Sequence, residues 1–116
     1  MKKIYYLKSC STCQRILSDF PKLEEFKLQN IKEEPLSNAQ LEELKKLAGS
    51  YESMFSKRAQ LYKKMDLKNK NLSEADYKKY LLEHYTFLKR PVIVIDEEIF
   101  IGNSKNTIAA AKSKLA

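Results

Sequence analysis

Two cysteines stand three residues apart near the start of this 116-residue chain, in the segment Cys10-Ser11-Thr12-Cys13. A short apolar run, residues 4–7, precedes them and a helix-like stretch, residues 14–20, follows, so the pair lies where a first strand turns into a first helix. The unpaired N–H groups and positive dipole end at the start of a helix stabilise a thiolate, which is the nucleophilic form of cysteine. This position favours Cys10 as a nucleophile. Cys13, about one helical turn further on, is within reach to resolve a mixed disulfide.

Other interpretations of the C-x-x-C segment stay open. A zinc site needs about four ligands, whereas the chain offers these two cysteines and one histidine, His84. The cysteines could also be inert core residues, and a disulfide that closes so short a loop gains little chain-entropy stabilisation. His84 is a candidate base for Cys10, although a lone histidine on a helix beside tyrosines is more often structural or solvent-facing. We therefore expect thiol chemistry, no metal and no bound cofactor.

Length and composition predict one domain, residues 1–116, with a single core. No apolar run is long enough to span a membrane, and the four apolar residues after Met1-Lys2-Lys3 are too few for a signal peptide, so we expect a cytoplasmic protein without membrane contact. In that compartment a C-x-x-C is more often catalytic or redox-sensing than structural. The formal net charge of +7 favours anionic partners. Acidic residues are interspersed among the lysines, however, and we expect no direct nucleic-acid binding.

The first half of the chain predicts a strand over residues 4–7, a helix over 11–20 and a second strand over 24–29. A helical block follows. Ser37 and Gln40 form a capping box for a helix that Gly49 ends, and Ser73 with Asp76 caps a later helix. Between these two helices, residues 52–65 have roughly helical spacing that is interrupted near residues 57 and 58.

Strand character returns late in the chain. The β-branched run from Pro91 to Ile95 predicts a strand buried on both faces, joined in a hairpin to a strand over residues 98–101. A closing helix is predicted over residues 104–114, with Ile108, Ala111 and Leu115 facing inward. The fold class is therefore α/β, a thioredoxin-like mixed sheet with a helical insertion, about residues 37–88, between the second and third strands. In this layout Arg90 and Pro91 can approach Cys10, and we predict a cis peptide bond between them.

Five segments resemble the ArsC/Spx family in order and spacing. They are Y-L-K-S-C-S-T-C-Q-R from Tyr6 to Arg15, K-E-E-P-L-S from Lys32 to Ser37, F-S-K-R-A-Q-L-Y from Phe55 to Tyr62, F-L-K-R-P-V-I-V from Phe87 to Val94, and I-G-N from Ile101 to Asn103. The C-x-x-C alone is a weak signal, whereas an early cysteine paired with a late K-R-P-V-I-V block is specific. The resemblance spans nearly the whole chain.

Membership in this family implies a thioredoxin-like fold with a redox-active cysteine at Cys10. One branch comprises arsenate reductases coupled to glutathione and glutaredoxin, in which that cysteine attacks arsenate and arginines hold the oxyanion. Another comprises Spx-type regulators, whose C-x-x-C is a redox switch and which bind RNA polymerase. Because Cys13 has no counterpart in the reductase loop, the chain resembles the C-x-x-C branch more closely.

The resemblance also implies anion-binding residues. Arg90 matches the arginine of the family's R-P motif, Arg58 matches an arginine of the Spx-like branch, and Asn103 stands where the reductases have a further arginine. The two arginines could lower the pKa of Cys10 and hold an oxyanion or a carboxylate of glutathione, or each could be an ordinary surface residue.

From these matches we expect a thiol-dependent reductase of disulfides or oxyanions that uses Cys10. Its electron donor would be glutathione with glutaredoxin, or thioredoxin. The alternative is a redox-sensing regulator that binds RNA polymerase.

Overall fold

The computed structural model describes all residues from Met1 to Ala116. It contains two compact units: residues 1–34 with 90–116 form the first, and residues 35–89 form the second. The first unit contains every strand, and the second consists of helices and turns. The second unit has nearly the bounds predicted for the helical insertion. The single domain over residues 1–116 stays a prediction.

The sheet has four strands: β1 (Lys2–Tyr6), β2 (Lys27–Asn30), β3 (Val92–Ile95) and β4 (Glu98–Ile101). Their order across the sheet is β2-β1-β3-β4. β1 runs parallel to β2 and antiparallel to β3, and β3 runs antiparallel to β4. The predicted mixed sheet is therefore confirmed, with β1 and β3 at its centre.

Strand register brings three connections to one end of the sheet. Tyr6 at the end of β1 pairs with Asn30 at the end of β2, and its neighbour Tyr5 pairs with Val92 at the start of β3. Val92 in turn pairs with Ile101 at the end of β4. The loop that carries the cysteines, the segment before β3 and the loop after β4 consequently all leave the sheet at this end.

The α-helices are α1 (Ser11–Ser18), α2 (Asn38–Ala48), α3 (Gln60–Lys64), α4 (Glu74–Glu83) and α5 (Lys105–Ser113). Single 3₁₀ turns lie at Leu23–Glu25, Glu52–Met54, Leu67–Asn69 and Tyr85–Phe87. Both predicted capping boxes, at the starts of α2 and α4, are present. Gly49 ends α2 with a φ of 93°, a conformation that favours glycine.

The core of the first unit joins one face of the sheet to α1 and α5. It contains Ile4 and Ile93 from the central strands, Ile16 from α1 and Ile108 and Ala111 from α5. All four residues of β3 are buried, as the β-branched run predicts. The apolar faces of α1 and α5 thus place both helices against the sheet and orient the start of α1 towards the cysteine loop.

The second unit is held by aromatic packing and by its own hydrogen bonds. The buried ring of Phe55 contacts those of Tyr62, Tyr77 and Phe87. The Glu74 carboxylate accepts hydrogen bonds from two backbone N–H groups, those of residues 51 and 52, and so satisfies donors at the first 3₁₀ turn of the unit.

Several sequence predictions are wrong in their bounds. The first strand, predicted over residues 4–7, is Lys2–Tyr6, and the first helix, predicted over residues 11–20, ends at Ser18. The second strand, predicted over residues 24–29, begins only at Lys27, because Lys22 takes a left-handed conformation that starts a 3₁₀ turn over Leu23–Glu25. The roughly helical spacing predicted for residues 52–65, interrupted near residues 57 and 58, corresponds to the 3₁₀ turn at Glu52–Met54 and to α3. Phe55 is extended and bridges to Leu88, which separates the 3₁₀ turn before it from α3.

Stability of the first unit should depend on Ile93. Ile93→Ala removes a fully buried side chain at the centre of the sheet, and we expect it to lower the free energy of unfolding by about 2–5 kcal/mol. Leu28→Ala is the matched control, because Leu28 lies in β2 but is 44% exposed; its effect should stay within about 0.5 kcal/mol. Urea denaturation followed by circular dichroism measures both. Equal losses in the two variants would contradict this description of the core.

Candidate active site

Cys10 occupies the junction between the sheet and α1. It is the N-cap residue of α1, with an extended backbone conformation (φ −88°, ψ 114°). Its backbone N–H donates to the Leu7 carbonyl at 3.0 Å, and its own carbonyl accepts from the Gln14 N–H at 3.0 Å. The turn from strand to helix therefore fixes the backbone of Cys10 on both sides. Both cysteines are free thiols; Cys10 is partly exposed and Cys13 is buried.

The surroundings of Cys10 favour its thiolate. Partial burial acts to raise its pKa, but the backbone N–H groups of Cys13 and Thr12 and the Cys13 thiol act in the opposite direction. The positive charge of Arg90 adds to them, and the net result is a pKa below the ordinary value of cysteine. The Cys10 side chain makes no capping hydrogen bond. The N–H groups at the start of α1 therefore act on the sulfur mainly as nearby dipoles.

The pKa of Cys13 is shifted in the opposite direction. Burial raises the pKa of its thiol to about 11, and the charge of Cys10 and its hydrogen bond with Cys13 contribute to this rise. A backbone hydrogen bond from Leu7 and the Arg90 charge oppose it without reversing it. At neutral pH Cys13 is thus protonated and can share its proton with the Cys10 thiolate.

This arrangement of thiols can carry out two-step disulfide exchange. An exposed thiolate of low pKa attacks first, and a protonated neighbour follows once it loses its proton. Covalent capture of a substrate at Cys10 removes the negative charge that helps to keep Cys13 protonated. Formation of the mixed disulfide therefore prepares Cys13 for the second attack.

The structure brings Arg90 and Pro91 to the same site. The Arg90–Pro91 peptide bond is cis, as predicted. Arg90 acts electrostatically on both sulfur atoms. The Pro91 carbonyl accepts a hydrogen bond at 2.9 Å from the N–H of Gly102, which has a φ of 94°. Asn103, the residue after Gly102, is exposed on the loop between β4 and α5. The interactions of Cys10 thus include Arg90, whereas no interaction between Asn103 and either thiol is found.

The two remaining candidates from the sequence lie in the unit of residues 35–89. Arg58 is exposed in the turn before α3. His84, also exposed, follows the last residue of α4, and its ring packs against Phe87 at 5.8 Å between centroids. The anion-binding role of Arg58 stays a prediction. The contact between the His84 ring and Phe87 is a structural one within the same unit.

A profile of the ArsC family matches residues 5–111. The chain belongs to the ArsC family. Its four-stranded mixed sheet and five α-helices form the thioredoxin-like fold that ArsC structures share.

Curated and solved relatives agree with this assignment. The Global transcriptional regulator Spx of Streptococcus pyogenes serotype M1 is 26% identical over 98% of this chain and 87% of its own length. The arsenate reductase from Vibrio cholerae superposes with a TM-score of 0.74 at 23% identity, covering 94% of this chain and 95% of that one. A protein from Bacteroides fragilis described as related to the ArsC family has a TM-score of 0.79 at 20% identity, covering 96% and 97%.

Sequence reasoning missed two side chains that contact the cysteine loop. Asn30 Oδ1 accepts from the Lys8 backbone N–H at 3.2 Å, and Gln14 Nε2 donates to the Lys8 carbonyl. A signal for Asn30 was present, since the carboxyl ends of parallel strands meet at one edge of a sheet and Asn30 ends the second strand. Gln14 gave no comparable signal, because it occupies an ordinary exposed position of a helix.

Two other findings bear on function. The structure contains no cluster of three or more histidine, cysteine, aspartate or glutamate side chains that could hold a metal ion. None of its helices is both long and apolar enough to cross a membrane.

Removal of the Arg90 charge should weaken the Cys10 thiolate. We expect Arg90→Gln to raise the pKa of Cys10 and to slow its alkylation by iodoacetamide at pH 7 by about two- to fivefold, the effect of a partly screened charge. Arg90→Lys keeps the charge and should stay closer to the wild type. Peptide mapping of the labelled protein gives the rate for each cysteine.

Arg15→Gln is the matched control for this experiment. Arg15 is exposed on α1 and is not among the groups that shift the pKa of Cys10, so its alkylation rate should equal that of the wild type. Faster labelling of Cys13 than of Cys10 would contradict the assignment of Cys10 as the more acidic thiol, and an Arg90→Gln variant that reacts as fast as the control would contradict the role of the Arg90 charge.

Proposed function

We propose that this protein is a thiol-dependent oxidoreductase in which Cys10 is the nucleophile and Cys13 the resolving cysteine. The observation that carries the proposal is that the pKa values of two neighbouring thiols shift in opposite directions. The pKa of the partly exposed Cys10 is lowered, whereas that of the buried Cys13 is raised to about 11. Two inert core cysteines would both be buried and protonated.

The proposed reaction reduces a disulfide in two exchanges. The Cys10 thiolate attacks one sulfur of the substrate, a Cys10–substrate disulfide forms, and the other substrate sulfur leaves as a thiolate that takes up a proton. Cys13 then loses its proton and attacks Cys10, so that the Cys10–Cys13 disulfide forms and the second substrate thiol leaves. Two electrons have passed to the substrate. A second dithiol, or two molecules of glutathione, returns two electrons and restores both thiols.

Arg90 supplies the positive charge for this chemistry. Its guanidinium stabilises the Cys10 thiolate and can pair with a carboxylate of glutathione or with an oxyanion. We propose Arg58 and Asn103 as further anion contacts, following the family pattern. Asn103 offers a neutral amide where arsenate reductases have an arginine. Because a hydrogen bond from a charged donor is roughly twice as strong as one from a neutral donor, we propose disulfides as better substrates than arsenate.

The proposed electron donors are glutathione with glutaredoxin, or thioredoxin. Both deliver electrons through thiol–disulfide exchange, and a Cys10–Cys13 disulfide can accept the electrons directly in this way. The partial exposure of Cys10 supports this, because the incoming thiol must reach a sulfur of the internal disulfide.

Substitution of the two cysteines should affect the reaction in different ways. With a fluorescent glutathione disulfide as substrate and glutathione as reductant, Cys10→Ser should reduce turnover to the rate without protein. Cys13→Ser keeps the nucleophile but lacks the resolving thiol, so with the substrate alone, before glutathione is added, it should make the first exchange and keep a glutathione adduct on Cys10, visible by intact mass spectrometry. Ser18→Ala, a substitution on the exposed end of α1, should retain full turnover. A Cys10→Ser protein with wild-type turnover would refute the proposal.

A redox-sensing regulator that binds RNA polymerase is the second candidate. It is supported by the curated relatives, which are named as Spx regulators and align over 98% of this chain. The same pair of thiols would then act as a switch, whose disulfide changes affinity for the polymerase rather than turning over substrate.

Co-purification distinguishes the two functions. Tagged protein is isolated from native cells under reducing and under oxidising conditions, with a Cys10→Ser, Cys13→Ser double variant as the redox-inert control. A regulator should retain RNA polymerase in amounts that differ between the two conditions for the wild type but not for the double variant. A reductase should retain no polymerase in either condition and should show the turnover described above.

A further inference from the structure

The peptide units between β1 and α1 are held by side chains from two neighbouring elements. Asn30, at the end of β2, accepts from the Lys8 N–H through its Oδ1 at 3.2 Å. Gln14, in the first turns of α1, donates from Nε2 to the Lys8 carbonyl. One residue of the cysteine loop therefore has both of its backbone polar groups bound by side chains.

Gln14 also holds the loop through its backbone. Its N–H donates to the Cys10 carbonyl at 3.0 Å, while its side chain reaches back to Lys8. The two contacts lie on either side of Ser9 and bind the short segment from residue 8 to residue 10 to the start of the helix. An exposed loop without these bonds would be free to move the Cys10 sulfur relative to the helix.

Asn30 is itself held firmly. It pairs in register with Tyr6, and the Ile31 N–H donates to the Tyr6 carbonyl at 2.9 Å. Its backbone carbonyl accepts from Glu34 at 2.8 Å. Asn30, which binds the Lys8 N–H, is thus part of the sheet, whereas Gln14, which binds the Lys8 carbonyl, is part of α1.

We propose that Asn30 and Gln14 are positioning residues, which clamp the loop of residues 8–10 between β2 and α1 so that the Cys10 sulfur faces the first N–H groups of the helix. Neither side chain is proposed to touch the substrate. The inference rests on the proposed function, because it concerns the reactivity of the same thiol. It goes beyond that function by assigning the geometry of the thiolate to two polar residues outside the C-x-x-C segment.

The clamp predicts a specific consequence for the thiol. The favourable interactions of Cys10 with the N–H groups of Thr12 and Cys13 depend on the position of its sulfur. If the loop is released, these interactions weaken while the charge of Arg90 remains. A variant that lacks the hydrogen bond from either Asn30 or Gln14 to Lys8 should therefore keep its fold, but its Cys10 thiol should hold the proton more tightly.

The test measures the rate of Cys10 alkylation by iodoacetamide as a function of pH, together with the midpoint of thermal unfolding. Gln14→Met keeps the length of the side chain but cannot donate, and Asn30→Ala removes the acceptor. We expect each to move the midpoint of the pH–rate profile upward and to slow alkylation at pH 7 by about two- to tenfold, the range of one hydrogen bond. Asn30→Asp retains an oxygen acceptor and, at high salt where its charge is screened, should stay near the wild type.

Two controls accompany these variants. Arg15→Gln alters the residue next to Gln14 on α1, and Asn106→Ala removes an exposed asparagine of α5; both should leave the profile unchanged. Unchanged profiles for both Gln14→Met and Asn30→Ala, beside a wild-type midpoint below that of the unfolded protein, would overturn the clamp and leave the proposed function intact. A wild-type midpoint equal to that of the unfolded protein would instead refute the proposed function, and the clamp with it. Gln14 is exposed, so Gln14→Met keeps the test decisive even if an Asn30 variant does not fold.

Discussion

The pairing of β1 with both β2 and β3 is the constraint on which the thiol site depends. Because β1 runs parallel to β2 and antiparallel to β3, the ends of β1 and β2 and the beginning of β3 meet at one edge of the sheet. Cys10, Asn30 and Arg90 come from these three places, although they are far apart in sequence. A shift of one residue in either register would turn the central side chains to the opposite face, and the buried core of β1 and β3 prevents it.

The site itself is defined by an electrostatic difference between two similar groups. Cys10 and Cys13 are three residues apart, yet burial dominates at Cys13, whereas helix N–H groups and a guanidinium outweigh it at Cys10. The proton that Cys13 keeps also stabilises the charge on Cys10. In the proposed reaction this coupling orders the two exchanges, because attack by Cys10 would remove the charge that helps to keep Cys13 protonated. The same coupling is compatible with either proposed function, a reductase or a redox switch.

Much of the fold could be predicted from the sequence because its signals are local. The capping residues Ser37 and Ser73 and the β-branched run before Ile95 each specify their own element. The start of β2 was predicted too early, because the alternation of Phe26 and Leu28 extends back over residues that the left-handed Lys22 turns into a 3₁₀ helix. The contacts of Lys8 with Gln14 and Asn30 depend on register and on loop conformation. The sequence places Asn30 at the correct end of the sheet but gives no signal for either hydrogen bond.

The two thiols of the site should titrate at clearly different pH values. Protein labelled with ¹³C at the cysteine β-carbons gives one NMR signal for each thiol, and a pH titration of the two signals measures both pKa values in the same sample. We expect a midpoint for Cys10 below that of cysteine in the unfolded protein, and a midpoint for Cys13 near 11. Coincident titrations, or a lower midpoint for Cys13 than for Cys10, would contradict it.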